Sequence, residues 1–276
     1  MRAGPMKLLA LLKENKNTFN IPVYQRNYEW NTEQIKQIFE DVEGIIKDNY
    51  NNGHFLGTIV FVSNEKQDLM MERIIIDGQQ RITTTVLLLK AIYDSLNENN
   101  NEERSLREEI YETYIINKYV DEKYKLKLKP VEEDMKAYVG LIESNQINED
   151  SKIYVNYRLL MNLISNSDFE VRQVYKALSY IQIVYISLDK NSRVENPQLI
   201  FESLNSTGLS LTEADLIRNF ILMGLEYEEQ VRLYKKYWFR IEKFLTNARI
   251  SEFVRDYLTM KIGYAPNRNK VYITFK

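Results

Sequence analysis

Apolar residues recur along this chain with two different spacings, and the change between them marks the predicted elements. The β-branched run Ile74–Ile76 predicts a short buried strand. The strand stops at Asp77-Gly78, a turn signal, because glycine takes backbone angles closed to other residues. Apolar residues then return at helical spacing, as Ile82, Val86, Leu89, Ile92 and Leu96. The pattern therefore predicts a strand, a tight polar loop and a helix.

The same two spacings predict the remaining elements. Asn31 and Gln34 have the spacing of a capping box at the start of a helix. Extended segments are predicted at 19–26, 54–62 and 181–189, and helices at 6–12, 104–180 (mostly helical), 226–245 and 248–260. We expect the strand at 181–189 to return the chain to the first sheet. The fold class is then α+β, with residues 1–95 plus 181–225 as core, 96–180 as a helical insertion, and 226–276 as a C-terminal helical segment that is truncated before a further domain.

Composition limits the classes of function. The chain has 276 residues, a net charge of -2 and no cysteine, so disulfide frameworks and thiolate metal sites are excluded and a cytoplasmic protein is expected. Because the whole molecule is not a polycation, any contact with nucleic acid requires a local basic patch. No apolar run is long enough to span a bilayer, so no membrane partner is expected. His54 is the only histidine in the sequence, so the chain has neither a multi-histidine metal site nor a Ser-His-Asp triad built on a different histidine.

The loop after the strand carries candidate chemistry. The first N–H groups of a helix have no internal partner, and the helix dipole favours an anion there. Arg81 adds a permanent cation, and Gln79 and Gln80 add neutral donors. Asp77 would repel phosphate unless a magnesium ion lay between them. Thr83, Thr84 and Thr85 are expected in the first helical turn as caps. The alternative is that Asp-Gly is only a turn and the threonines only a cap.

The segment IIDGQQRITTTVLLLKAIYD resembles the signature of the DGQQR-motif N-terminal domain of GmrSD-type, modification-dependent restriction endonucleases. Three more segments agree in order: IPVYQRNYEW, HFLGTIV and FESLNSTGLSLTEADLIRNF. The resemblance implies a small mixed sheet similar to the ParB/sulfiredoxin group, and a domain that couples nucleotide hydrolysis to DNA cleavage by a separate nuclease domain or subunit.

The resemblance also implies a pocket built from several segments. Arg26 would face the same pocket as Arg81, although an exposed edge-strand charge is the alternative. Asn205 and Arg218 would lie against the DGQQR loop; the alternatives are a turn for Asn205 and a structural role for Arg218. Asp215 is expected to be structural, because it has capping-box spacing from Thr212.

Within this pocket the residues have expected roles. Arg81 would stabilise transferred charge, Asp77 would hold Mg²⁺ or orient water, and Gln79 or Gln80 would fix phosphate or water. The nucleotide would contact backbone and side chains of the loop and helix, namely Arg26, Gly78, Gln79, Gln80, Arg81, Thr83, Thr84, Asn205 and Arg218.

A second basic feature lies at 123–130, where lysine alternates with apolar residues. Four lysines would share one face of an extended segment, namely Lys123, Lys125, Lys127 and Lys129. They predict either an edge strand protected against self-association or a strip that contacts a nucleic-acid backbone.

Three functions follow from these features. The first is a nucleoside triphosphate hydrolase that gates a nuclease acting on foreign DNA. The second is a DNA-sensing or docking module without catalysis, and the third is a structural, partner-binding subunit. The sequence contains no Gly-x-x-x-x-Gly-Lys-Ser/Thr motif, so a P-loop enzyme is excluded.

Overall fold

The computed structural model describes residues 1–66, 70–118, 120–122, 125–145, 147–189, 197–205 and 211–276, with only the backbone at 204 and 205. The chain divides into two compact units. The first comprises Met1–Ile21 and Asn27–Asn191, and the second comprises Pro22–Arg26 and Ser192–Lys276.

One mixed sheet runs through the first unit. Within the described residues its six strands are β1 (Arg2–Lys7), β2 (Asn17–Asn20), β3 (Phe55–Glu65), β4 (Met71–Asp77), β5 (Leu128–Lys129) and β6 (Gln182–Asp189). Their spatial order is β1-β6-β3-β4-β2-β5. Strand β6 is antiparallel to β1 and parallel to β3, while β4 is antiparallel to β3 and parallel to β2. The α+β class is confirmed, and β6 returns the chain to the first sheet as predicted.

Helices pack against this sheet. They are α1 (Leu8–Lys13), α2 (Thr32–Lys47), α3 (Gln79–Ser95), α4 (Asn101–Ile110), α5 (Glu132–Ile142), α6 (Lys152–Ser165) and α7 (Val171–Leu178), with a π-helical turn at Tyr111–Ile115. The capping box of Asn31 and Gln34 at the start of α2 is confirmed. Helix α3 is buried around its circumference, since Leu87, Leu88 and Leu89 are each 0 % exposed. The middle of α3 therefore lies in the core.

Three local predictions are corrected by tertiary pairing. The strand expected at 19–26 is only Asn17–Asn20, because Pro22 has no N–H to donate and the chain turns there, with the Gln25 N–H donating to the Pro22 carbonyl. The helix expected from residue 6 begins at Leu8, since the preceding residues pair with β6 at the edge of the sheet. In the lysine-rich segment only Leu128–Lys129 is a strand.

The second unit is helical in its described part. Its helices are α8 (Pro197–Asn205), α9 (Glu213–Leu222), α10 (Tyr227–Leu233), α11 (Phe239–Glu242), α12 (Asn247–Ile262) and α13 (Val271–Phe275). A π-helical turn at Tyr234–Trp238 interrupts the helix predicted at 226–245. Val23 and Tyr24 from the short N-terminal segment of this unit are buried with Leu222 and Tyr234.

The compact units differ from the predicted domain boundaries. Residues 96–180 form one unit with the sheet, and residues 192–225 fall in the same unit as the C-terminal helices. The difference arises because α6 packs on α3, whereas α9 packs on α12 and α13. Among the helices of the described ranges, none has both the length and the apolar character needed to cross a bilayer.

Candidate functional site

The turn between β4 and α3 requires glycine for two reasons. Gly78 has a φ of +92°, in the left-handed region that side chains rarely adopt. A Cβ placed on Gly78 would also lie 3.0 Å from Ile59 Cγ1 and 3.2 Å from the carbonyl oxygen of Thr58. The turn therefore packs tightly on β3, and the predicted strand, glycine turn and helix are all present.

The start of α3 has the backbone arrangement of an anion site. The first N–H with a helical partner is that of Ile82, which donates to the Gly78 carbonyl at 3.1 Å. Within the described part of the chain, no acceptor meets the N–H groups of Gln79, Gln80 and Arg81. These three groups point along the helix axis at its positive end, where an anion is stabilised.

Arg81 lies at the same place and keeps part of its surface. Its Nη1 donates to the Thr58 carbonyl at 3.1 Å and is 3.8 Å from Asp77 Oδ2, beyond hydrogen-bond distance. The Arg81 and Asp77 side chains are 30 % and 32 % exposed. The guanidinium is therefore not withdrawn into the interior against a carboxylate, and its remaining N–H groups can meet a ligand.

The Arg81 guanidinium packs against the backbone of Gly57. This residue has a φ of +121°, and a Cβ there would lie 3.0 Å from Arg81 Nε and 3.1 Å from Cζ. The register of β3 against β6 shifts between Phe55 and Gly57, which marks a β-bulge. The bulge and the missing side chain together leave room for the guanidinium. In the sequence, Gly57 was noted only as part of the HFLGTIV segment. A glycine directly before β-branched residues can mark a bulge or a close approach of another group, and it could have identified this position.

The two glutamines of the loop have different surroundings. Gln79 is 7 % exposed, and its amide has no hydrogen-bond partner among the described residues. Gln80 is 8 % exposed, and its amide makes three hydrogen bonds to the backbone of Asn27, Glu29 and Trp30. The Gln79 amide atoms are not among the buried polar atoms that lack a partner, so they reach the surface, where water or a ligand can meet them. Gln79 therefore fits a ligand contact better than Gln80 does.

The predicted capping role of the threonines is wrong. Helix α3 begins at Gln79, so the threonines fall after its first turn and cannot reach the first N–H groups. Thr85 Oγ1 donates to the Arg81 carbonyl, and Thr84 Oγ1 is 2.7 Å from the Tyr28 hydroxyl. Thr84 is fully buried, which does not fit contact with a nucleotide. Thr83 is 2 % exposed and has no hydrogen-bond partner within the described ranges.

Arg218 is a structural centre of the second unit. It is 4 % exposed. Its Nε donates to the Tyr24 carbonyl at 2.8 Å, its Nη2 to Asp215 Oδ1 at 2.9 Å, and its Nη1 to Glu242. Every nitrogen of the guanidinium has an acceptor, so a phosphate-binding role for Arg218 does not fit. The alternative structural reading does fit, and the predicted capping box of Thr212 with Asp215 is confirmed.

The other predicted pocket residues belong to different parts of the chain. Arg26 is half-buried and belongs to the second unit, whereas the DGQQR loop belongs to the first. The side chain of Asn205 lies outside the described residues.

The predicted lysine strip does not form as expected. Lys127 is 2 % exposed, and its Nζ donates to the carbonyl oxygens of Leu12 and Glu14 at the end of α1. Burial lowers the pKa of Lys127 to about 8. Lys125 pairs with Glu122, Lys129 lies in β5, and Lys123 lies outside the described residues. Lys127 therefore stabilises the end of a helix and cannot contact DNA from this position.

The carboxylate of Asp77 is compatible with Mg²⁺. Among the described residues, no group of three or more acidic or histidine side chains is placed so that it could hold a metal ion. Mg²⁺ is commonly held by one or two carboxylates together with substrate phosphates and water, and a part-exposed Asp77 beside the start of α3 suits that mode.

Two comparisons with known proteins bear on this arrangement. The chain is 24 % identical over 292 residues to the uncharacterized protein MJ0686 of Methanocaldococcus jannaschii, in an alignment that covers 93 % of this chain. The chain spans about half the length of that relative, 47 %. The family model described as the N-terminal domain of the GmrSD restriction endonuclease matches residues 8–222. The four segments that carried the resemblance all lie within that range, and the chain belongs to the GmrSD restriction endonuclease N-terminal domain family.

Proposed function

We propose that the start of α3 binds the phosphate groups of a nucleoside triphosphate together with Mg²⁺. We further propose that hydrolysis of this nucleotide regulates cleavage of foreign or modified DNA by a nuclease domain or subunit outside this chain. The observation that carries the proposal is a cluster at one helix end. Three N–H groups and the Gln79 amide, all without a partner among the described residues, lie there with the Arg81 guanidinium that packs on Gly57.

The residues have separable roles in this proposal. The N–H groups of α3 and the forked guanidinium of Arg81 bind phosphate oxygens and stabilise the charge that develops during phosphoryl transfer. The amide of Gln79 donates to a phosphate oxygen or orients the attacking water. Asp77 would hold Mg²⁺, which when bound neutralises phosphate charge.

A second candidate is a module that binds the DNA backbone at the same place without catalysis. The burial of Lys127 favours a nucleotide instead, because binding to a DNA backbone relies on several exposed basic side chains and the predicted lysine strip does not form.

Binding and phosphate release with purified protein test the proposal. A panel of nucleoside triphosphates, inorganic triphosphate and a DNA duplex is titrated in the presence of Mg²⁺. Arg81→Ala is expected to weaken triphosphate binding at least about tenfold, because a hydrogen bond to a charged group contributes about 1.5–3 kcal/mol. Arg172→Ala is the matched control, since Arg172 pairs with Glu102 on the surface of the same unit.

Each result has a clear consequence. Nucleotide turnover that is lost in Arg81→Ala and kept in Arg172→Ala supports the proposal. Tight DNA binding without binding or turnover of any nucleotide supports the docking module instead. If neither nucleotide nor DNA shifts the melting temperature, the hydrolase and the docking module are both wrong, and a structural, partner-binding subunit is favoured.

A further inference from the structure

The amide of Gln80 holds a neighbouring segment of the chain. Its Oε1 accepts from the N–H groups of Glu29 at 2.8 Å and Trp30 at 3.2 Å. Its Nε2 donates to the carbonyl of Asn27 at 3.0 Å. Three of the four hydrogen bonds that a side-chain amide can make are thus directed at residues 27–30. Little of this amide is left for a ligand.

The same segment is held from its other side by α5 and α6. The Tyr28 N–H donates to Asp134 Oδ2 at 2.6 Å, and Asn156 Nδ2 donates to the Trp30 carbonyl at 2.8 Å. Further bonds join it to the same two helices and to α3, namely Asn27–Glu133, Lys152–Glu29 and Tyr28–Thr84. Residues 27–30 therefore connect the start of α3 to the helices between β5 and β6.

Neighbouring positions on a helix differ by about 100° in direction, so Gln79 and Gln80 leave the helix on different sides. The Gln80 amide bonds to the 27–30 segment, whereas the Gln79 amide has no hydrogen bond to that segment or to any other described residue. Two identical side chains in one motif thus have different surroundings, which indicates different functions.

We propose that Gln80 is a positioning residue: it fixes residues 27–30 against the start of α3, so that the order of this segment and the occupancy of the anion site are coupled. Gln79 is the amide that contacts the ligand. The ligand part rests on the proposed function, whereas the hold of Gln80 on the segment does not. Loss of Gln80 then acts through the segment and not through a missing contact to phosphate.

Amide hydrogen exchange, measured without nucleotide, tests directly whether Gln80 fixes residues 27–30. Full-length Gln80→Met removes all three bonds at nearly constant volume, and Gln79→Met is the matched control. We expect the amides of Glu29 and Trp30 to exchange at least about tenfold faster in Gln80→Met and at the wild-type rate in Gln79→Met. Unchanged exchange in Gln80→Met would overturn the proposal.

Affinity for Mg²⁺-ATP or inorganic triphosphate tests the coupling. Asn156→Ala releases the same segment from α6 without altering the DGQQR motif. If Gln80 acts through the segment, Asn156→Ala also lowers affinity, and the Gln80→Met/Asn156→Ala double variant loses no more than the larger single variant. Full additivity, or unchanged affinity in Asn156→Ala although Trp30 exchanges faster, would overturn the coupling.

The experiment still decides the question if Gln80→Met does not fold or if the wild-type protein binds no nucleotide. If Gln80→Met does not fold, Asn156→Ala carries the test alone: faster exchange at Trp30 with lower affinity supports coupling, and faster exchange with unchanged affinity overturns it. If the wild-type protein binds no nucleotide, the proposed function and the coupling both fail, while the exchange rates still decide whether Gln80 holds the segment.

Discussion

The guanidinium of Arg81 lies directly over the backbone of Gly57. A Cβ at position 57 would come within 3.0–3.2 Å of Nε, Cζ and Nη2 of Arg81, and the φ of Gly57 is +121°. Both the space and the backbone conformation at this position therefore require glycine. The contact joins the HFLGTIV segment to the DGQQR segment, which are separate in the sequence.

Gly57→Ala is expected to displace Arg81 and to strain β3. We expect the free energy of unfolding to fall by about 1–3 kcal/mol, because a left-handed φ is imposed on an L side chain. Triphosphate affinity should fall as it does in Arg81→Ala. Urea unfolding and a binding titration measure the two effects.

Gly44→Ala is the matched control for this substitution. Gly44 lies within α2, and a Cβ there would meet nothing within 4 Å. Alanine is the better helix former by about 0.5–1 kcal/mol, so stability should rise and binding should not change. Normal stability and affinity in Gly57→Ala would show that Arg81 does not depend on this contact.

Arg218→Met is expected to destabilise the second unit by about 3–5 kcal/mol. The substitution leaves the carboxylates of Asp215 and Glu242 without their buried partner, and an uncompensated buried charge is costly. Urea unfolding followed by the fluorescence of Trp238 measures this loss of stability. Trp238 is a suitable probe because its Nε1 donates to the same Glu242.

The surface pair of Arg232 with Glu229 supplies the control, and Arg232→Met should leave unfolding unchanged. A stable Arg218→Met variant that has lost nucleotide binding would restore Arg218 to the ligand-binding residues.

Stability is expected to depend on Asp134 in mildly acidic solution. The pKa of Asp134 is raised from 3.8 to about 6, mainly by burial and to a smaller extent by the nearby Glu133 and Glu29, while the hydrogen bond from the Tyr28 N–H and the charge of Lys152 lower it. A raised pKa means that the folded state favours the neutral carboxyl. Its stabilising contribution is therefore complete below pH 4 and is lost as the pH rises through about 6.

Asp134→Asn removes this titration while keeping an oxygen that accepts from the Tyr28 N–H. The variant should match the wild type at pH 4 and exceed its free energy of unfolding at pH 7 by on the order of 2 kcal/mol. Urea unfolding at several pH values measures the difference. A constant offset across that range would mean that Asp134 does not titrate in this window.

Lys127→Met is expected to reduce stability without changing DNA affinity. The carbonyl oxygens of Leu12 and Glu14 would lose their common donor, at roughly 1–3 kcal/mol of unfolding free energy. Because Lys127 is buried, the salt dependence of DNA binding should keep its slope. Lys125→Met, which removes an exposed lysine of the same segment, is the comparison. A salt-dependence slope that is reduced only in Lys127→Met would mean that the predicted lysine strip does contact DNA.

The sequence by itself determined the elements whose causes lie within a few residues. The strand, glycine turn and helix around Gly78 follow from local spacing and from one residue that tolerates a positive φ. The capping boxes of Asn31 and Thr212 likewise involve partners three residues away. Such features can be predicted because both partners fall inside one window of the chain, and the four family segments were visible for the same reason.

Only the tertiary structure decided which of these polar side chains bond within the protein. Gln80 meets Asn27 across 53 residues, and Arg218 meets Tyr24 across 194. Lys127 is turned inward to the end of α1 across more than a hundred residues. A polar side chain has the same chemistry in all these settings, and what it does depends on whether the fold brings it a partner. Among the described residues the Gln79 amide has no hydrogen-bond partner and the Arg81 guanidinium donates only to the Thr58 carbonyl, so both keep unused hydrogen-bonding capacity.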